Sequence, residues 1–377
     1  MLGRLRPLLL PLIFAVLAIV VYNRRVRHEM VDFSTWRQSA VRAVHAEPLY
    51  RVEDGHYQFK YFPVFALMMA PFAWLDPDTA KMIWFAISFG LLAALLRWSV
   101  AALPERRLGE RTLLWITVVF MAKFFAHELV LGNTNLLLGA MLMAALLAIQ
   151  IDKPGLAGGL IGAAVFVKPY ALLFLPWLVV TQGFTAGTVM LLMVLAGLLM
   201  PALVYGWEGN RQLLASWYRT VADSTAPNLL GNDNVSFASM WAKWLGPGHT
   251  AEILAVVTAA AVLGVVVAIW RKRQDVTTPE YLEFSLLMLL IPLLSPQGWD
   301  YVLLLATPAV VCVIDRWNDL NRVWQVFLAA ALVLMCLTMF DVMGRDLYGR
   351  FMSFSLVTVS ALAIVWGMAH LRWRKLA

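Results

Sequence analysis

Charge is what this sequence lacks first. Only 14% of its 377 residues are Asp, Glu, Lys or Arg, and 61% are hydrophobic. Soluble domains carry about 25% charged residues. A water-soluble fold could not hide that much apolar surface, so lipid must be the solvent for much of the chain. Cysteine is nearly absent. Cys312 and Cys336 both fall inside apolar runs, which reads as packing and implies neither a disulfide framework nor a metal centre. The chain has no P-loop, no G-x-G-x-x-G, no H-E-x-x-H and no Cys/His metal spacing. No acidic pair is suited to a divalent cation, so no metal and no cofactor is expected. A basic-aromatic repeat is also missing. The net charge of +7 therefore reads as topology signals in short loops rather than as a nucleic-acid surface. Repeats and low-complexity tracts are lacking, which predicts one integral membrane domain over 1–377.

Apolar runs recur from Pro7–Tyr22 to Phe351–Leu371. They predict an all-α polytopic membrane helix bundle with about 11–13 transmembrane segments. Arg4 and Arg6 precede the first run, and Arg24, Arg25 and Arg27 follow it with no small-residue cleavage site. This reads as an uncleaved first transmembrane helix. Two polar stretches are long, Asn23–Phe62 and Gly206–Thr250, and both are expected as outer loops contributing to a site. The run Pro63–Leu75 is short and proline-bounded, which favours a half-helix over a span.

Basic residues set the orientation. Counting back from Arg372, Arg374 and Lys375, the clusters Arg316/Arg322, Arg271–Arg273, Lys153 and Arg97–Arg111 fall on one side, the cytoplasmic one by the positive-inside rule. The loop 206–250, the turn Ser295–Trp299 and the turn Gly132–Asn135 then gather on the extracytoplasmic side of a multi-pass protein of the cell inner or plasma membrane.

The polar residues that remain are the candidates for chemistry. Asp32 opens a stretch with amphipathic helical spacing, which predicts an interfacial helix in the first outer loop. It can be an N-cap or a general base, whose pKa burial would tune. Tyr57-Gln58-Phe59-Lys60-Tyr61-Phe62-Pro63 reads as an aromatic entry to the membrane or as the wall of a cleft. Lys123, His127 and Glu128 precede the Gly132-Asn133-Thr134-Asn135 turn, and ionisable groups inside a span usually mark a site or a mutual pair. Lys168-Pro169 interrupts an apolar stretch. A central lysine costs about 2.5–3.5 kcal/mol on insertion, so Lys168 either snorkels or meets a phosphate. Asn234-Val235-Ser236 lies in the second long loop. Ser295-Pro296-Gln297-Gly298-Trp299-Asp300-Tyr301 forms a turn with a carboxylate at a helix start.

In this order the motifs resemble glycosyltransferase family 87, the polyprenyl-phosphate-mannose-dependent mannosyltransferases of the membrane-embedded C-type fold. Asp32 resembles the family's catalytic aspartate. His45–Tyr50 is similar to its L-Y stretch, and Tyr61-Phe62-Pro63 with Pro71 to its Y-x-P entry. Gly132–Asn135 resembles its G-Q-x-N turn, with Asn133 in place of Gln. Lys168-Pro169 matches its K-P element, Asn234-Val235-Ser236 its N-x-S loop and Ser295-Pro296…Trp299 its S-P-x-x-W element. Asp300 and Tyr301 follow Trp299 where the family commonly carries His. The resemblance implies an inverting transfer of a hexose, mannose by family habit, from a polyprenyl-phosphate donor to a glycolipid, glycan or protein acceptor of unknown identity. It implies Asp32 as the base. It assigns Lys168, Tyr61, Asn133 and Asn135 to the lipid phosphate, and Asn234, Ser236, Trp299, Asp300, Tyr301 and His127 to the sugar or acceptor. The competing readings are a transporter or flippase of a lipid-linked sugar, and a scaffold whose polar residues only cap helices.

Overall fold

The computed structural model describes residues 18–376. Arg4, Arg6 and most of the first apolar run lie outside the described residues, and the expectation of an uncleaved first helix lies there with them. Four helices are long and apolar enough to cross a membrane: Pro77–Ala101, Glu110–Leu131, His249–Arg271 and Leu356–Trp373. Phe184–Leu199 and Ala202–Asn228 qualify as a pair, bent by 88°. Asn135–Gln150, Pro154–Val167, Pro169–Gln182 and Arg322–Leu337 are apolar but shorter. Large apolar side chains face outward along these elements, among them Val119, Leu203 and Val256. The molecule is an all-helical polytopic membrane bundle.

The expected count of segments resolves into fewer full-length helices because local breaks divide several runs. Residues 63–75 form a helix of six residues, Pro63–Met68, and a 3-10 turn Ala70–Phe72. At 1.5 Å per residue such pieces cannot span a bilayer. Lys168 takes extended angles (φ −145°, ψ 121°) and ends the Pro154–Val167 helix, as the residue before a proline is driven to do. The stretch 206–250, expected as a loop, is mostly helix: Ala202–Asn228, broken at Gly206 (φ +70°), then Phe237–Leu245. In the first long polar stretch the expected helix is present as Val31–Val44, and a 3-10 segment Val52–Tyr57 follows it.

Close approach holds the central helices together. A Cβ on Gly158 would lie 2.2 Å from the carbonyl oxygen of Ala186, and one on Gly162 2.8 Å from that of Met190. Glycines four apart thus seat the Pro154–Val167 helix on Phe184–Leu199 backbone to backbone, a recurrent membrane packing mode.

The bundle has two poles. At one, Asp315 accepts hydrogen bonds from the backbone N–H groups of Arg107 and Leu108 (both 2.9 Å), and Gln150 donates to Ala102 (2.7 Å). There also Arg372, buried against Glu283 at 3.0 Å, donates to Pro279. The basic clusters collect at this end. Glu110–Leu131 carries the chain away from it over about 33 Å to Gly132. Asn135–Gln150 returns, and Pro154–Val167 climbs again to Lys168. The tips of these helices, with the Val31–Val44 helix laid across them, build the opposite pole.

Candidate active site

Helix geometry decides where Asp32 points. The Val31–Val44 helix buries Phe33, Trp36, Ala40 and Ala43 on one face. Trp36 stacks edge-on against Phe65, Phe72 and Trp84. Asp32 is not the N-cap: Met30 holds that position without a side-chain cap. The Asp32 carboxylate instead accepts a 2.6 Å hydrogen bond from the Asn133 amide. Burial raises its pKa, and the Asn133 amide, then Lys168, His127 and Lys60, pull it part of the way back.

The Gly132–Asn135 turn meets this helix at one carbonyl. Gly132 O accepts from the indoles of both Trp36 (3.3 Å) and Trp84 (3.0 Å). Gly132 itself has φ +66°, and a Cβ there would stand 2.7 Å from Phe33 Cβ and 2.8 Å from Met30 Cε. We expect Gly132→Ala to cost roughly 2–3 kcal/mol, since left-handed backbone strain of about 1–2 kcal/mol adds to the displacement of packed atoms. Thermal unfolding in detergent measures it. An unchanged melting temperature would show that the two elements are not fixed to one another.

Beyond Gly132 the turn becomes a polar lattice. Asn133 also donates to Tyr301 Oη (3.3 Å) and accepts from Tyr61 Oη (3.4 Å). Thr134 donates to Tyr61 (3.2 Å). Behind it, Glu128 accepts from the Asn135 amide (2.8 Å) and from Leu136 N–H (3.1 Å). The Lys168 ammonium lies 5.8 Å from the centre of the Tyr61 ring.

These groups enclose a cavity of about 310 Å³ whose wall includes Asp32, Lys60, Tyr61, Asn133, Lys168 and Asp233, with His127, Trp299 and Tyr301. It is electrically polarised. Lys60 and Lys168 share one side. Lys60 is held below the usual lysine range by burial and by Lys168, with Asp32 opposing. Asp233 stands toward His127, its pKa raised by burial and by Asp300 and lowered by His127.

The sequence candidates therefore divide. The structure brings Asp32, Lys168, Tyr61, Asn133, His127, Trp299 and Tyr301 to one cavity. Asn135 is placed behind the wall, committed to Glu128. Asn234 and Ser236, assigned above to a sugar or acceptor contact, are also behind it. Asn234 donates to the carbonyls of Asn228 and Pro296 and accepts from Ser236 N–H, and the Ser236 hydroxyl caps the Phe237–Leu245 helix. Their work is to fold the loop: Asn234 pairs with Trp299 in an antiparallel bridge, through which Asp233 O accepts from Asp300 N–H at 2.8 Å. Asp300 is not at its helix start as a cap. It faces His127 (3.6 Å) and Tyr348 (3.5 Å) in a second cavity that meets the first at His127 and Leu131. Lys168 lines the first cavity, its ammonium over the Tyr61 ring.

Two charged wall residues received no individual role from the sequence, Lys60 and Asp233. Lys60 was legible only within the Tyr57–Pro63 stretch, read as an aromatic entry or as the wall of a cleft. Asp233 was one polar residue among several in Gly231–Asn234, and nothing local marks it. Lys243 positions it by donating to the carbonyls of Asn232 (3.0 Å) and Asn234 (2.8 Å). Burial lowers the Lys243 pKa to about 8 against the pull of Asp233 and Asp300. Among the described residues no three His, Cys, Asp or Glu side chains are arranged to hold a metal ion.

Residues 59–296 match glycosyltransferase family 87, well over half of the chain. The match takes in Tyr61, Asn133, Lys168 and Asp233 and begins after Asp32. An alpha-(1->3)-arabinofuranosyltransferase of Corynebacterium glutamicum is 29% identical over 162 residues, 38% of this chain and 36% of that relative. The chain thus spans little more than a third of the length of the curated relative it matches. No solved structure matches it.

Proposed function

Because the chain belongs to glycosyltransferase family 87, and is a multi-pass membrane glycosyltransferase on that ground, we propose that it transfers a hexose, mannose, from a polyprenyl-phosphate donor to an acceptor hydroxyl on the extracytoplasmic side. The observation that carries this reading is the cavity in which one carboxylate, Asp32, faces two ammonium groups, Lys60 and Lys168. A sugar phosphoester needs that pairing: cations for the phosphate and a base for the incoming hydroxyl. The acceptor O–H gives its proton to the Asp32 carboxylate. Its oxygen forms the bond to the anomeric carbon from the face opposite the phosphate. The bond from that carbon to phosphate oxygen breaks, and its electron pair leaves with the lipid phosphate, which Lys168 and Lys60 neutralise. In-line attack inverts the anomeric centre. The lysines supply the positive charge, so the reading needs no metal or other cofactor. The basic clusters at the opposite pole support an extracytoplasmic site through the positive-inside rule.

The test is a reconstituted transfer in vesicles with radiolabelled polyprenyl-phosphate-mannose, run beside a polyprenyl-phosphate-arabinofuranose donor, since the relative named above transfers arabinofuranose. The expected result is label moving from lipid to acceptor, with inversion and one lipid phosphate released per transfer. Label that crosses the membrane still attached to its lipid would replace the enzyme with a transporter. Transfer from the arabinose donor alone would keep the enzyme and replace the sugar.

A further inference from the structure

One buried carboxylate takes no part in either cavity wall. Glu128, 1% exposed, stands in the last turn of the Glu110–Leu131 helix and is absent from the linings of both cavities. Its Oε1 accepts from Leu136 N–H at 3.1 Å. A helix start leaves such N–H groups without a partner, and the Asn135–Gln150 helix has no side-chain cap at Thr134. Glu128 supplies the cap from the preceding helix, with the sign that a helix N-terminus favours. That accounts for one oxygen. The other, Oε2, accepts from the Asn135 amide at 2.8 Å, which a cap does not require.

This second bond has a direction. A side-chain amide gives at its nitrogen and takes at its oxygen. Glu128 Oε2 takes, so Asn135 must turn its NH2 toward it. The same NH2 lies 3.0 Å from Asn133 Oδ1, which is thereby held at the back of the turn. Thr134 N–H (2.6 Å) and Tyr61 Oη (3.4 Å) donate to that oxygen as well. The Asn133 nitrogen is left facing forward, where it donates to Asp32 Oδ2 at 2.6 Å. The Asn135 carbonyl oxygen, meanwhile, is buried without a hydrogen-bond partner among the described residues. Leaving it so costs free energy. Turning that amide over would set the oxygen against Glu128 Oε2 and Asn133 Oδ1, both acceptors. The orphaned oxygen is what an imposed direction leaves behind.

We propose that Glu128 is a positioning residue for the base: through Asn135 it fixes which end of the Asn133 amide faces Asp32, and so keeps a donor beside that carboxylate. The proposal rests on the transfer reading above, in which Asp32 takes the acceptor's proton, and adds what sets the base's charge state.

Glu128→Gln keeps the shape and removes the direction. The new amide offers its oxygen to Leu136 N–H, so its NH2 faces Asn135, and Asn135 turns its oxygen to meet it. Asn133 then has an acceptor at its back where it had a donor. Its amide is driven over, and its carbonyl oxygen faces Asp32, which only a protonated carboxyl can answer. Through space, loss of the Glu128 charge acts the other way, since removing a negative neighbour favours the Asp32 carboxylate. Lys168, His127 and Lys60 also face Asp32, as do Tyr61 and Tyr301, and the variant leaves all five in place. The sign of the shift therefore separates the relay from a simple charge effect.

The test uses native membranes carrying the full-length protein, radiolabelled polyprenyl-phosphate-mannose and the acceptors those membranes contain. It reads the acid limb of kcat/KM for the donor against pH, whose position does not depend on how much of a variant folds. Glu128→Gln is expected to move the limb up by about one pH unit, the scale of one hydrogen bond to a charged group, with the plateau rate within about three-fold of the parent. Asn135→Ala removes the link but leaves Thr134 N–H on Asn133, and should move the limb up by about half a unit; it decides the question if Glu128→Gln does not fold. In an Asn133→Ala background Glu128→Gln should move the limb no further, because the relay reaches Asp32 only through Asn133. A limb that stays or moves down, or one that still moves up without Asn133, overturns the relay and leaves the transfer reading standing. A parent that releases no lipid phosphate, or an Asp32→Asn variant as fast as the parent, removes the base itself and the relay with it.

Discussion

Asp32→Asn is expected to lower turnover by a factor of about 10²–10⁴, the range supplied by a positioned general base, while the protein keeps its fold and its lipid phosphate. The neutral amide is nearly isosteric, so the contact with Asn133 persists as a weaker hydrogen bond, and the helix carrying it remains packed through Phe33 and Trp36. The pH profile makes the prediction sharper. A base works deprotonated, and burial raises the Asp32 pKa, so the acid limb of the rate should lie above the ordinary aspartate range. Asn133→Ala removes the N–H that favours the carboxylate and should carry that limb to still higher pH. The same shift has a stability sign. A carboxyl whose folded pKa is raised contributes stability that is present below its unfolded pKa and lost as pH rises through the folded one. Above that window the Asp32 carboxylate burdens the fold, and Asp32→Asn should melt no lower than the parent. A variant that loses activity and also several degrees of melting temperature would point to a structural role, and an unchanged rate would remove the base.

What the sequence disclosed follows from how locally each feature is determined. The Val31–Val44 helix shows in the spacing of its apolar residues. The break at Lys168 needs only the proline after it, and the Gly132 turn needs only the residue that tolerates its backbone. These three features place Asp32, Lys168 and Asn133, and so the centre of the cavity was legible. The rest depends on partners distant in sequence. Asn234 looks like a ligand residue until its amide is found on Asn228 and Pro296. Asp233 reaches the cavity because its neighbour pairs with Trp299, some 65 positions away. The stretch from Gly206 on is polar enough to read as a loop. It is instead part of the helix Ala202–Asn228, which leaves Phe184–Leu199 at an 88° bend, and no periodicity within a single run encodes that bend.

Lys168→Met should lower kcat by about 10²–10³, comparable to losing one electrostatic stabiliser of a developing anion, and should raise the donor KM. The reasoning begins with the cost of keeping the group. An ammonium at the end of the Pro154–Val167 helix, among Val167, Pro169 and Tyr61, is paid for in insertion free energy, and hydrophobic Met fills a similar volume. Stability should therefore hold or rise while activity falls, a combination that a merely structural lysine would not give. Lys60 shares the cavity but also reaches Gln297 at 3.4 Å, in the Ser295–Trp299 turn. Its methionine variant should act mainly on donor binding, about ten-fold, the worth of one charge-assisted hydrogen bond. Lys168→Arg should recover only part of the rate. The wider guanidinium cannot keep the ammonium's position over the Tyr61 ring without displacing Tyr61 from Thr134 and Asn133, and with them the turn that holds Asp32. Measured as kcat and donor KM on the same preparations, a Lys168→Met variant that matches the parent would leave the phosphate without its counter-charge. The cavity would then have to be read from its acidic side, from Asp233 and His127, instead.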